Sequence, residues 1–477
     1  MSTTDPSRTS TLEVKPTLPS SGSRKRRVCI WLSFGLLFLL WLFSGTTNAD
    51  VSESTVHGPI IQWHKTPATQ ATIVWIERDN DLEWEAADEP AVDHAHWTVE
   101  VRPKGSGRDF RPIPYRIREF GKTDNPVYLA EASGLMPDTE ISYRLRTGDD
   151  ILREGWFRTA PARIDEPMEF LVAGDMGTQE AIPLLEVATK ETPLFVMIGG
   201  DIAYANGRNE LLWYRWIDLW LEYLHHENGR ATPMIMGIGN HEMKSYQGLK
   251  GHRRLTGLRI YRKKKKNAPF YHSLFALPEG RSNFTVDFAS YMSIILLDSG
   301  HAQHVEDQTD WLEEELRERQ DRDHLFTVYH RPAWGAGIKK NYKPVQEEWC
   351  PLFVEYGVEC AFENDHHIYK RSHPIVDGEV DEENGVLYIG DGAWGAKLRP
   401  INSRKLKKVG ADEYLAEWKA VHHYVRVTLR PNGSRMYEAV DVDGTVFDSL
   451  QDSGGIKIST PETQQADLSS PELSDFQ

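Results

Sequence analysis

Five apolar runs in this chain each end in residues able to hold a metal ion. Phe170-Leu171-Val172-Ala173 leads into Gly174-Asp175, and Phe195-Val196-Met197-Ile198 into Gly199-Gly200-Asp201, with Tyr204 three residues on. Ile235-Met236-Gly237-Ile238 leads into Gly239-Asn240-His241-Glu242, and Phe326-Thr327-Val328-Tyr329 into His330. Val358-Glu359-Cys360-Ala361-Phe362 leads into Asn364-Asp365-His366-His367. In open α/β sheets ligands bind at the carboxyl ends of the strands. Glycine before the Asp lets the chain turn sharply and lets a ligand approach the backbone. A single Gly-Asp turn is common; five such junctions in order are not. The donors are two Asp, a Tyr, an Asn and several His. Carboxylate and phenolate oxygens suit hard ions, and imidazole with amide oxygen suits zinc, iron or manganese. Two carboxylates allow one of them to bridge a metal pair.

The rest of the chain fits around these junctions. Its 477 residues suggest more than one domain. From 56 to 160 short segments alternate at period two, as in Ala71–Ile76, His96–Val101 and Ile141–Arg146, with turn residues between them, which predicts an all-β sandwich. After a linker at 161–167, apolar runs alternate with helical patterns, the mark of an α/β layer. Helices are expected over Glu180–Lys190, over Leu211–Asn228 stopped by Gly229, and over Asp307–Gln320. The α/β region is read as 168–400, with strands at 401–450 completing it and a Ser-, Pro- and acid-rich tail at 451–477 expected to be disordered.

Residues 1–50 read as targeting sequence: Arg24-Lys25-Arg26-Arg27 precedes an uncharged apolar run at 28–44. The basic cluster should stay in the cytoplasm, so the remainder is expected to be exported. It is either anchored to the membrane through 28–44 or, if cleaved near Ala49, secreted or periplasmic. The net charge of −16 argues against general nucleic-acid binding. The basic run Arg259–Lys266 reads as a solvated loop, the alternative being attraction of anionic substrates. Cys350 and Cys360 either pair or are two ordinary buried thiols, so no disulfide framework carries the fold.

With its motifs in place, the sequence resembles the calcineurin-like metallophosphoesterases, and among them the purple acid phosphatases. The blocks are Gly174-Asp175-Met176-Gly177, Gly200-Asp201-Ile202-Ala203-Tyr204, Gly239-Asn240-His241-Glu242, His330 and, imperfectly, Asn364 to His367. The stretch Val127–Asp149, with its Gly134-Leu135-x-Pro137-x-Thr139 turn, resembles the fibronectin type III-like domain that precedes the catalytic domain in that family. The resemblance implies an αββα metallophosphoesterase fold holding two metal ions. It puts Asp175, Asp201, Tyr204 and His367 on a ferric iron. A bridging Asp201, Asn240, His330 and one further ligand would hold Zn(2+), Fe(2+) or Mn(2+). His241 is implied as the catalytic residue that orients the phosphate and assists the leaving group.

The departure lies in residues 362–371. His367-Ile368-Tyr369-Lys370-Arg371 matches the family's H-x-Y-x-R, so the register puts Asp365 in a position the family gives to His, and Asn364 in place of Gly. Asp365 is the expected ligand by register, a local shift would substitute His366, and loss of the second metal is a third outcome. The implied activity is hydrolysis of phosphate monoesters, on a phosphorylated small molecule or phosphoprotein, by metal-hydroxide attack. A phosphodiesterase or nucleotide hydrolase on the same site, and a surface binding protein with a degenerate site, are the alternatives. The loop Gly248–Asn267 is the candidate for leaving-group contacts.

Overall fold

A computed structural model describes residues 55–78, 97–244, 267–390, 392–401 and 403–454. The targeting segment, the basic run 259–266, most of the 248–267 loop and the tail beyond 454 lie outside the described residues. Among the described residues no helix is long and apolar enough to cross a membrane.

Two sheets face each other across the main core. In the first, the strands Met168–Ala173, Val196–Ile198 and Met234–Met236 run parallel and adjacent. In the second, Met292–Leu296, His324–Val328, Cys360–Glu363 and Leu387–Gly390 do the same. Nearly every residue of these seven strands is buried, because both faces of each sheet are covered, and so they read as apolar runs without alternation. Aromatic side chains fill the interface: Phe170 lies 6.2 Å from Phe326, and Phe195 lies 5.1 Å from Phe288, between ring centroids. The C-terminal strands attach at the edge, with His423–Leu429 antiparallel to Met168–Ala173.

The described residues of 55–160 form the expected pair of β layers. Trp97, from the four-stranded sheet, packs edge-on against Trp75 and Tyr128 of the opposing layer. That opposing layer does not end at a domain boundary. Thr55–Gln62 pairs in parallel with Met234–Met236, so the layer continues into the first parallel sheet as one ten-stranded sheet. The side chain of Gln62 reinforces the join, with its amide donating to the carbonyl of Leu274 and its oxygen accepting from the N–H of Ala276.

All three helices are shorter than the periodicity predicts, and the one expected over Glu180–Lys190 spans Ile182–Ala188 after a 3-10 turn. The helix Glu210–Leu224 starts where the Asn209 side chain accepts from the N–H of Leu211, and buries Trp213, Trp216 and Trp220. It stops at His225, in extended backbone, rather than at Gly229. Gly229, at φ +81°, instead turns a small hairpin in which His225 bridges to Ala231. The helix expected to reach Gln320 spans Thr309–Arg317 after a 3-10 turn. Cys350 and Cys360 are both buried and free.

A buried ion pair locks the second sheet behind the strand ends. Lys370 and Glu363 are fully enclosed and in direct contact. Glu363 also accepts from the Tyr329 hydroxyl and the Ala333 N–H, both at 2.6 Å, and Lys370 donates to the Trp334 carbonyl. Removing one partner of such a pair leaves an uncompensated charge. Lys370→Met is therefore expected to lower stability by about 3–5 kcal/mol. Urea unfolding checks this, and a loss under about 1 kcal/mol contradicts it.

Candidate metal centre

The C-terminal ends of the two parallel sheets meet, and five loops interlock there. The Asp175 N–H bonds to the Gly200 carbonyl, and the Met176 N–H to the Asp201 carbonyl. The Asn364 N–H bonds to His330 O, and those of Trp394 and Ala396 to the carbonyls of Gly174 and Asp175. Asp175, Asp201, Tyr204, Asp365 and His367 all adopt positive φ, between +52° and +73°. Non-glycine residues rarely do so, and the strain is held only where surrounding bonds over-determine the chain. Half of the ten non-glycine positive-φ positions among the described residues are thus candidate ligands.

Glycine makes room for the acidic groups. A Cβ on Gly239 would overlap Asp201, and one on Gly392 would overlap Asp175. Gly174 and Gly199 leave the space filled by Asn364, whose amide donates to the carbonyls of Gly199 and Tyr329. The family's Gly position can carry a side chain here because that side chain lies between two other glycines.

The carboxylates of Asp175 and Asp201 are entirely buried, and ligand atoms of Asp175, Asp201 and His330 all lie within 4.8 Å of one another. On one side, Asp175 Oδ1 is 3.0 Å from the Tyr204 hydroxyl and 3.0 Å from His367 Nε2, and those two are 3.2 Å apart. On the other, Asp201 Oδ2 is 3.3 Å from His330 Nε2 and 3.3 Å from Asn240 Nδ2. Asp365 Oδ1 is 3.8 Å from the same His330 nitrogen. His366 packs instead against Gly335. Asp365 thus lies beside His330. The ring of His241 lies 4.1 Å from that of Tyr204, and its Nε2 is 3.7 Å from Asp201 Oδ2.

The donor set fits cations. His330 is fully buried and neither ring nitrogen makes a hydrogen bond. Burial drives the Asp201 carboxyl up, but His330 and His241 beside it more than offset this and hold it low. Burial among Asp175, Asp201 and Glu242 pushes the Tyr204 phenol far above its ordinary range, a cost that an adjacent highly charged ion reverses. The His241 imidazole is lowered by its burial, so its neutral form is favoured.

Three contributors carried no role in the sequence reading. The Glu242 carboxylate accepts from the N–H groups of Asp201, Ile202 and Gly239 at 2.7–2.8 Å, fixing two metal-site loops to each other. Burial and nearby Asp201 raise it to about 7. Lys339 contacts Asp365, and Arg399 donates to the Asp365 carbonyl at 3.1 Å. Glu242 could have been found as the last residue of its block. Lys339 and Arg399 have no local signal.

No family model matches the chain. It is 24% identical over 296 residues to an uncharacterized protein of Mycobacterium tuberculosis, covering 53% of this chain and 52% of that one. It is 24% identical over 314 residues to purple acid phosphatase 15 of Arabidopsis thaliana, covering 58% and 55%. The chain spans about half the length of the curated relatives it matches. Among solved structures it superposes on the purple acid phosphatase PPD1 from yellow lupin (Lupinus luteus) seeds with a TM-score of 0.62 at 17% identity, over 84% of this chain and 75% of that one. It superposes on PhoD with a TM-score of 0.60 at 15% identity, over 85% and 94%. These superpositions show the fold: the chain has the fold of the purple acid phosphatase-like metallophosphoesterases, an α/β layer preceded by β layers.

Proposed function

We propose that this protein is an exported metal-dependent phosphatase that hydrolyses phosphate monoesters of small molecules or phosphoproteins. The convergence of Asp175, Asp201 and His330, with Tyr204 and His367 against Asp175, is the observation that carries the reading. Asp175, Tyr204 and His367 would hold ferric iron, Asp201 would serve both ions, and Asn240, His330 and Asp365 would complete a site for Zn(2+), Fe(2+) or Mn(2+). When bound, such a pair neutralises phosphoryl oxygens and lowers the pKa of coordinated water toward neutrality.

The chain's own residues do the rest. Glu242 fixes the backbone of Asp201, so that this carboxylate is held between the two halves of the site. His241 receives its orientation from its own N–H, which donates to Asp201 Oδ1 at 2.6 Å. Its imidazole, beside Tyr204, is the group that orients the phosphate and assists the leaving oxygen. His367 Nδ1 lies 3.0 Å from the Lys397 carbonyl, which sets its tautomer so that Nε2 offers the lone pair.

Two outcomes test this. Changing a partner of a metal ligand typically costs 10–100-fold, so Asp201→Asn, which alters a ligand itself, should lower turnover of p-nitrophenyl phosphate by more than about a hundredfold and release bound metal. Wild-type turnover and metal content in that variant would sink the assignment. The iron-loaded protein should show a visible phenolate-to-iron charge-transfer band that Tyr204→Phe abolishes; a band that survives the substitution contradicts Tyr204 as the ligand. Comparing rates on p-nitrophenyl phosphate and bis-p-nitrophenyl phosphate separates monoesterase from diesterase.

A further inference from the structure

Asp365 occupies the position where the motif that the sequence resembles has His, and two cationic side chains surround it. Its Oδ1 faces two groups at once. His330 Nε2 stands 3.8 Å away on the metal side, and the Lys339 ammonium contacts the same oxygen from the opposite loop. Lys339 also donates to the main-chain carbonyl of Asp365 at 3.2 Å, and Arg399 donates to that carbonyl at 3.1 Å.

The loop that carries Lys339 is held at several points. The Tyr342 N–H bonds to Pro332 O and the Gly335 N–H to Asn341 Oδ1. The Tyr414 hydroxyl donates to Gly335 O. The Lys339 side chain is nonetheless 41% exposed, against 8% for Asp365, so the ammonium can move into water while the carboxylate stays. A neutral imidazole at this position would add no charge, whereas Asp365 adds one negative charge that Lys339 cancels.

We propose that Lys339 and Asp365 form one unit at the second metal position. Asp365 ligates through the oxygen that the Lys339 ammonium otherwise holds, so lysine and metal compete and the second ion is the readily exchanged one. This rests on the dinuclear reading above. Lys339 acts here as a positioning residue, and the consequence is read in metal retention rather than turnover.

The test compares the full chain with Lys339→Met, Asp365→His and the double variant Asp365→His/Lys339→Met. Each is loaded with manganese or zinc and dialysed against graded EDTA, and retained metal is counted by inductively coupled plasma mass spectrometry. The wild type should lose its second ion at roughly tenfold lower EDTA than Lys339→Met, a shift in affinity of one decade, while the first ion leaves both at the same concentration. Asp365→His should hold the second ion less well than the double variant, because Lys339 then opposes the metal without a carboxylate between them. Identical retention of two ions by wild type and Lys339→Met overturns this inference and leaves the dinuclear reading standing. Loss of all metal from every protein at the lowest EDTA overturns both.

Discussion

Asp175 and Asp201, two carboxylates buried completely and held close together, are the constraint around which the rest of the structure is organised. Burying like charges together is unfavourable unless cations and hydrogen bonds offset it. The surroundings supply both. Asp175 Oδ2 accepts from the Asp365 N–H at 2.9 Å, and Asp201 Oδ1 accepts from the His241 N–H. His330 is pulled upward, against the effect of its burial, by Asp201 and Asp175, and His367 by Asp175. Lys339 and Arg399 bring positive charge beside Asp365. Further acids, Glu242 and Asp365, sit at the periphery of the pair, so the centre is one that attracts cations.

Backbone geometry and charge are linked here. Five left-handed residues, in three of the five loops, carry the Asp, Tyr and His side chains that gather at the site. Such conformations need rigid support. The continuous first sheet provides it from below, and the Lys370–Glu363 pair provides it behind the His330 and Asp365 loops. The strand Thr55–Gln62 and the β layer it belongs to are therefore part of the scaffold of the site, joined to it through Gln62 and Met234.

Much of this was legible in the sequence because it is local. An apolar run followed by Gly-Asp or Asn-His records a buried parallel strand and its exit, and all five junctions appear where they were read. What was not legible depends on partners far along the chain. The pairing of Gln62 with Met234 joins segments more than 170 residues apart and leaves no periodicity in either. Gly229 signalled a turn, but not that the turn was a hairpin bend rather than a helix cap. That His366 packs against Gly335 while Asp365 lies beside His330 also depends on residues distant in sequence. Lys339 reads as one more lysine in a polar loop until its contact with Asp365 is seen. The resemblance supplied roles for matched residues and could say nothing about Lys339, which lies outside the matched motifs.

The central claim is that the five strand ends build one cation-binding centre. Anomalous diffraction from crystals grown with iron and manganese tests it most directly. The account predicts a strong peak within coordinating distance of Asp175, Asp201, Tyr204 and His367, and a second, weaker one beside Asp201, Asn240, His330 and Asp365. Crystals with both metals in the medium and no anomalous peak among these side chains would contradict it.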